Sequence, residues 1–406
     1  MNLLLILFLF FNSGFNNTLS SHFLLNDSLE LKADNYFSKA DSLYLQSQLD
    51  SSDFYFNTAA GLYIKLDEWE NYVKCQNYIG WNKLESGDYD IGLAIVNNGL
   101  DSAYKYLGKR SSEVGKAFHI LGAIYDDKGN YEIALQLNFK ALAIYKELLD
   151  EHHPLFPSSY GNIGNIYFSI GDYYQSLEYH LKALSISSLS PESNNIDVAA
   201  SYTNIGNVYV ELHNFDLAKE YYLKSLKIKL EHFGKDHPSI AIQYNNLGAV
   251  YQGKGDYNTA LQYMNIALKN RIQVLGRIHL IVAHTKMNIG EMYSQMGKQD
   301  SALQIIMEAE EIYLASVGKH HQSVGINYYF KGLIYMQLHN PLKAIEAYQS
   351  SIKALAPGFN SDNVYVNPVI QKYQDLQNLG ISTPFNVLEA LEGKGMAFWE
   401  MSNKKF

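Results

Sequence analysis

Asn162-Ile163-Gly164-Asn165-Ile166-Tyr167, followed by Gly171-Asp172-Tyr173 and Leu181-Lys182-Ala183-Leu184, is a phrase that the chain repeats. It returns as Asn204-Ile205-Gly206-Asn207-Val208-Tyr209 and as Asn246-Leu247-Gly248-Ala249-Val250-Tyr251. Aligned on the turn residue, the copies fall at Gly87, Gly129, Gly171, His213, Gly255, Gly297 and His339, each 42 residues after the last. A fixed period of that size marks a stack of supersecondary units and outranks any isolated motif.

Working outward from the turn, each column has a physical reading. Seven residues before it stands glycine: Gly80, Gly122, Gly164, Gly206, Gly248, Gly290 and Gly332. Four before it stands tyrosine, from Tyr125 to Tyr335. Five and twelve past it the residue is small, as at Ala134 and Ala141 or Ala260 and Ala267. Thirteen past it leucine dominates, as at Leu142, Leu184 and Leu226. Small residues at fixed helical positions let two helices approach, and the large columns fill the remaining space. The unit therefore reads as two antiparallel helices, with the turn glycine ending the first. The glycines Gly122, Gly164, Gly206, Gly248, Gly290 and Gly332 are structural on this reading.

The same spacing of Leu/Ile, Gly, Tyr, Ala and Ala resembles the tetratricopeptide repeat, whose usual length is 34 residues. The longer unit, with Phe233-Gly234-Lys235-Asp236-His237-Pro238 in its link, resembles the kinesin light chain subtype. The eight extra residues are expected between the second helix and the next first helix. The resemblance covers about Tyr78 to Leu355. It implies an all-α fold: a right-handed superhelical solenoid of antiparallel helix pairs. Seven 42-residue repeats then occupy residues 78–355, preceded by capping helices over residues 22–77.

Within that cap, residues 24–47 are amphipathic, a polar break covers Gln48–Asp53, and two helices follow over Phe54–Leu66 and Glu68–Leu84, with Asp67 as N-cap of the second. Cys75 is the one cysteine, which excludes an intramolecular disulfide and a cysteine-based zinc site. Its apolar neighbours Val73 and Ile79 mark it as a buried structural thiol.

Met1–Phe11 is almost wholly leucine, isoleucine and phenylalanine. The run is too short to span a bilayer. Residues 1–21 read as a secretory signal peptide, although no Lys or Arg precedes the apolar run. An exported, periplasmic or secreted protein is therefore expected; without cleavage the chain would be cytoplasmic.

The register ends after Leu355. Ala356-Pro357-Gly358-Phe359, Asn367-Pro368 and Leu388-Glu389-Ala390-Leu391-Glu392-Gly393-Lys394 resemble the segment that joins repeats to peptidase in bacterial CHAT-domain proteins. Residues 356–406 are thus expected to be a linker and an unpaired helix, cut off before a further domain. That family's catalytic His/Cys pair lies in its peptidase domain, and Cys75 matches no such position.

Chemistry is otherwise sparse. There is no GxxxxGK[ST] loop, HExxH, GxSxG or paired CxxC. No catalytic, cofactor or metal residue is assigned, and enzymatic activity is not expected from these 406 residues. The link column His153, Asn195, His237, His279 and His321 places its members one repeat apart, too far for shared coordination at about 2 Å. They read as polar caps at helix starts. A net charge of −9 argues against a nucleic-acid partner.

What packing does not require is asparagine. Asn162, Asn204, Asn246 and Asn288 occupy one column, nine before the turn. Asn165 and Asn207 lie three residues on, along the same helix face, and Asn245 adjoins. An amide offers donors and acceptors together and can pair with an extended backbone of any sequence. The resemblance implies the same, since related repeats hold peptides through inner-groove asparagines. A protein or peptide ligand in a concave groove is expected. The alternatives are a sensor region of a bacterial signalling protein, or part of a caspase-like peptidase.

Overall fold

The computed structural model describes residues 26–46, 48–189, 195–368 and 384–403. The expected leader, residues 1–21, lies outside them, as do Val369–Leu379 and Thr383. Among the described residues all regular structure is helical, and the chain forms two compact units, Met1–Asn204 and Ile205–Phe406.

The first unit holds α1 (residues 26–45), α2 (Leu49–Lys65), α3 (Trp69–Glu85), α4 (Tyr89–Tyr106), α5 (Ser112–Asp127), α6 (Tyr131–Leu148), α7 (Leu155–Ile170) and α8 (Tyr173–Ser187). Helix α9 (Asn195–Glu211) carries the boundary. The second unit continues with α10 (Phe215–Phe233), α11 (Pro238–Gly253), α12 (Tyr257–Leu275), α13 (Leu280–Gln295), α14 (Gln299–Val317), α15 (Gln322–Gln337), α16 (Pro341–Leu355) and α17 (Pro384–Asn403). Pairing is between neighbours in sequence: α3 with α4, α5 with α6, α7 with α8, α11 with α12, α13 with α14, and α15 with α16.

One turn makes every hairpin. The residue at the turn takes a left-handed conformation, from φ 79° at Gly87 to φ 55° at His213 and φ 53° at His339. The next amide reaches back five residues, as in Asp172 N to Tyr167 O at 2.9 Å and Asp256 N to Tyr251 O at 2.9 Å. That closes the carbonyls left free at a helix C-terminus. The same residue then caps the next helix: Asp172 accepts from Gln175 N at 3.1 Å, and Asp256 from Thr259 N at 3.1 Å. One helix is thus stopped and the next started within two residues.

Asp67 adopts this left-handed turn geometry, with φ 56°, and Glu68 N reaches back to Tyr63 O at 2.9 Å. It is the turn residue between α2 and α3, and the N-cap is Glu68. The break before α2 is also shorter than its polarity suggests, because Ser52 and Asp53 are buried inside the helix. Asn82 donates to Asp53 at 2.7 Å and Lys83 pairs with it at 2.8 Å, so the polar letters are internally satisfied.

The glycine column is the close contact within each pair. A Cβ at Gly164 would lie 2.8 Å from the His180 ring, at Gly206 2.6 Å from Tyr222, and at Gly332 2.5 Å from Tyr348. Gly122, Gly248 and Gly290 face Asn138, Met264 and Ile306 in the same way. The partner is always sixteen residues on. Beside this contact the tyrosine column stacks: Tyr167 on Tyr179 at 5.5 Å, Tyr209 on Tyr221 at 5.6 Å, and Tyr251 on Tyr263 at 5.5 Å.

The placement of the extra length is also corrected. In three repeats the extra residues do not lie in the link: the second helices α10, α12 and α14 each run 19 residues, and only residues 234–237 separate α10 from α11. After α8, which runs 15 residues, residues 188–194 do stand between the helices, as expected. The link histidines cap as expected: His237, His279 and His321 each accept, through Nδ1, an amide two residues on at 3.2 Å, and His153 does likewise.

The last helix is not unpaired. Helix α17 packs on α16, with Ala397 in one cluster with Ala344, Ile345 and Tyr348. Tyr348 is clasped between two glycines, since a Cβ at Gly393 would lie 2.7 Å from its ring. Lys394, 2% exposed, donates to Asn367 Oδ1 at 2.7 Å and to the Val366 carbonyl at 3.1 Å, tying α17 to the segment before it. Gly393-Lys394 therefore has a local packing role.

Gly206→Leu should cost about 1–3 kcal/mol through overpacking against Tyr222. Gly161→Ala is the control, because a Cβ there meets nothing within 4 Å. Denaturant unfolding of both variants measures this; equal midpoints would remove the glycine contact from the account.

Candidate functional site

Three adjoining cavities run along the first helices of the first unit. The first, about 290 Å3, is lined by Tyr44 of α1, Tyr78 and Trp81 of α3, Glu113 and His119 of α5, Tyr145 of α6 and Ser158 of α7. The second, about 170 Å3, shares Trp81 and adds Asp126, Asn138, Asn162 and Asn165. The third, about 230 Å3, shares Ser158, Asn162 and Asn165 and adds His180, Asp197, Ser201 and Asn204. Neighbouring cavities share side chains, so together they form one groove. It is lined by α3, α5, α7 and the start of α9 because these repeat positions lie on one face of each first helix.

The asparagines divide by place. Asn162, Asn165 and Asn204 are brought together along the groove. Asn165 is exposed, while the Asn162 amide sits 2.9 Å from His119 Nε2. In the second unit Asn207 is tied up in packing: its Oδ1 accepts from the Tyr222 hydroxyl at 2.7 Å. Asn245, Asn246 and Asn288 are half-buried, and Asn245 Oδ1 is buried without a hydrogen-bond partner.

Sequence reasoning passed over the groove's other polar groups. Glu113 is buried, and it is held by Lys116 at 2.6 Å and by Asn77 at 3.0 Å. The indole of Trp81 donates to Glu85 at 2.8 Å and to Tyr44 at 3.1 Å, which fixes the ring between two cavities. The His119 ring lies nearly parallel to it, with centroids 6.4 Å apart. Burial lowers the pKa of His119 from 6.5 to about 4, and that of His180 also to about 4. Both are therefore neutral near pH 7. None of these residues stands in a repeated column of one type, so periodicity could not single them out.

Cys75 is buried in the first unit's core, and burial pushes its thiol up to about 12, as suits an inert structural residue. No group of three or more His, Cys, Asp or Glu among the described residues is arranged to hold a metal ion. Among the same residues no helix is long and apolar enough to cross a membrane.

Models of the tetratricopeptide repeat match residues 115–155, 155–231, 238–315 and 327–354. The chain carries tetratricopeptide repeats. A clustered mitochondria protein homolog of Xenopus tropicalis is 35% identical over 66 residues, which is 16% of this chain and 5% of that protein. The match thus spans a small part of the curated relative. The apo form of RapI superposes at a TM-score of 0.59, covering 91% of this chain and 98% of RapI at 16% identity. The putative kinesin light chain of Podosopora anserina, with nearly identical TPR-like repeats, aligns at a TM-score of 0.43, covering 49% of this chain and 95% of its own at 18% identity. At 16% identity the likeness to RapI is one of fold. Such repeats generally serve as protein-interaction scaffolds.

The neutral histidines give the tetratricopeptide stack an acid limit. Because the folded His180 has its pKa depressed, the unfolded chain binds the proton more readily between about 4 and 6.5. Stability from this group is intact above pH 6.5 and is lost as pH falls through 4. His180→Tyr, the residue already used opposite Gly206 and Gly332, should retain part of that stability. Thermal melting across pH 4 to 7 tests it, and a variant with the wild-type pH slope would refute the assignment.

Proposed function

We propose that this protein is a non-catalytic interaction scaffold whose first unit holds an extended peptide segment of a protein partner. The observation that supports this most directly is the run of adjoining cavities along which Asn162, Asn165 and Asn204 lie. Amides can bond a peptide backbone without regard to its side chains. The apolar cavity beside Tyr44, Tyr78 and Tyr145 gives one side chain of that peptide a place to be buried, which is where binding energy concentrates. In the second unit the packing bond of Asn207 argues for a structural share of the same motif.

Selection of a random displayed peptide library on the full chain tests the reading. Enriched peptides should lose binding by about ten-fold or more, the scale of lost backbone hydrogen bonds, when Asn162, Asn165 and Asn204 are all alanine. Helicity should stay unchanged, and melting should fall only by the loss of the Asn162 bond to His119, about 1–3 kcal/mol. Peptides that bind the triple variant equally well would sink the groove.

The finer assignment is that the scaffold is the recognition part of an exported, CHAT-domain-type bacterial protein. The tail resemblance and the apolar start of the chain support it. Mass analysis of the product of the whole natural gene reads both halves of it: a mature N-terminus near residue 22, and a downstream domain with a His/Cys pair. A downstream membrane span in place of the peptidase would favour the sensor alternative.

A further inference from the structure

The middle cavity of the groove is bordered by two residues that each keep a buried acceptor unmet by the protein itself. Asp126, near the end of α5, has its Oδ1 buried without a hydrogen-bond partner. Asn138, on α6, is fully buried and borders the same cavity; its amide nitrogen donates to the Ala134 carbonyl at 2.9 Å, while its Oδ1 is buried without a partner. Trp81 forms a wall, with its polar edge already engaged by Glu85 and Tyr44, so that its contribution here is ring surface. Asp127 is the other titratable lining residue. Lys128, next along the chain, is turned to Asp90 at 2.7 Å and gives Asp126 no counter-charge.

A carboxylate and a carbonyl left without donors in a partly buried site cost free energy that a suitable donor would return. We propose that this cavity is a subsite for an arginine side chain of the bound peptide. A guanidinium brings several donors in one plane, is weakly hydrated, and stacks on an indole. It would meet Asp126 Oδ1 and Asn138 Oδ1 together and lie along Trp81, an arrangement that a neutral side chain cannot match in charge. The Asp126 carboxyl is raised to about 6, first by burial and then by Asp127, which agrees with an acid that lacks its cation. The proposal rests on the groove reading above and names one residue of its occupant.

The test uses N-acetyl-arginine methylamide as probe, added to the full chain while the indole N–H signals are followed by NMR. Trp81→Phe assigns the signal among the three tryptophans. The Trp81 signal should shift saturably with this probe and not with the isosteric, uncharged citrulline analogue. Asp126→Asn should weaken the response about ten-fold or more, the scale of a lost hydrogen bond to a charged group. No saturable shift, an equal response to citrulline, or full binding by Asp126→Asn overturns the subsite. The displayed-peptide experiment remains independent. Peptides that depend on the three asparagines but lack arginine would leave the groove standing and remove only this assignment.

Discussion

Each helix pair depends on one close approach, between a glycine on the first helix and a side chain sixteen residues later on the second. No Cβ would fit there: one added at Gly80 would lie 2.1 Å from Val96, and one at Gly248 2.7 Å from Met264. It fixes how deeply the second helix can sit, and hence where the tyrosine stacks and the small-residue columns meet. The partner may be valine, asparagine, histidine, tyrosine, methionine or isoleucine, because the absent Cβ leaves room for different shapes. The constraint therefore lies on the glycine side, and the second helix is free to vary.

That freedom brings chemistry into the groove. Where the partner is tyrosine, methionine or isoleucine, the contact is mostly apolar. Where it is Asn138 or His180, a polar group is buried behind the first helix and lines a cavity. Asn138 is left with an unmet acceptor, and His180 is kept neutral by burial. Two neighbouring repeats of the first unit have thus replaced packing surface with functional groups while keeping the same glycine. Asn207 shows the reverse exchange, an amide that a packing tyrosine has engaged.

The fold was legible because its causes are local and periodic. A left-handed turn residue, a cap after it, and a glycine seven residues before it recur every 42 residues, and each acts within a few residues of chain. Asp67 was misread because a turn of the same geometry occurs there outside the 42-residue register, in a residue type that also caps helices. The last helix was misread as unpaired because its contacts to Tyr348 and Asn367 bridge some 30 to 45 residues with no repeat to announce them. The extra length was misplaced because an amphipathic pattern does not state where a helix stops.

By itself, the sequence determined the helix pairs, their turns, the histidine caps and the residues that must stay small, since backbone geometry and steric size act locally. It also marked the asparagines as residues that packing does not demand. Only the tertiary structure decided which of them share a groove, that Asn207 is spent on Tyr222, and that Asp126, Asn138 and Trp81 meet at one cavity. Those three residues come from three different helices and different columns, and nothing but the stacking of one pair on the next brings them together.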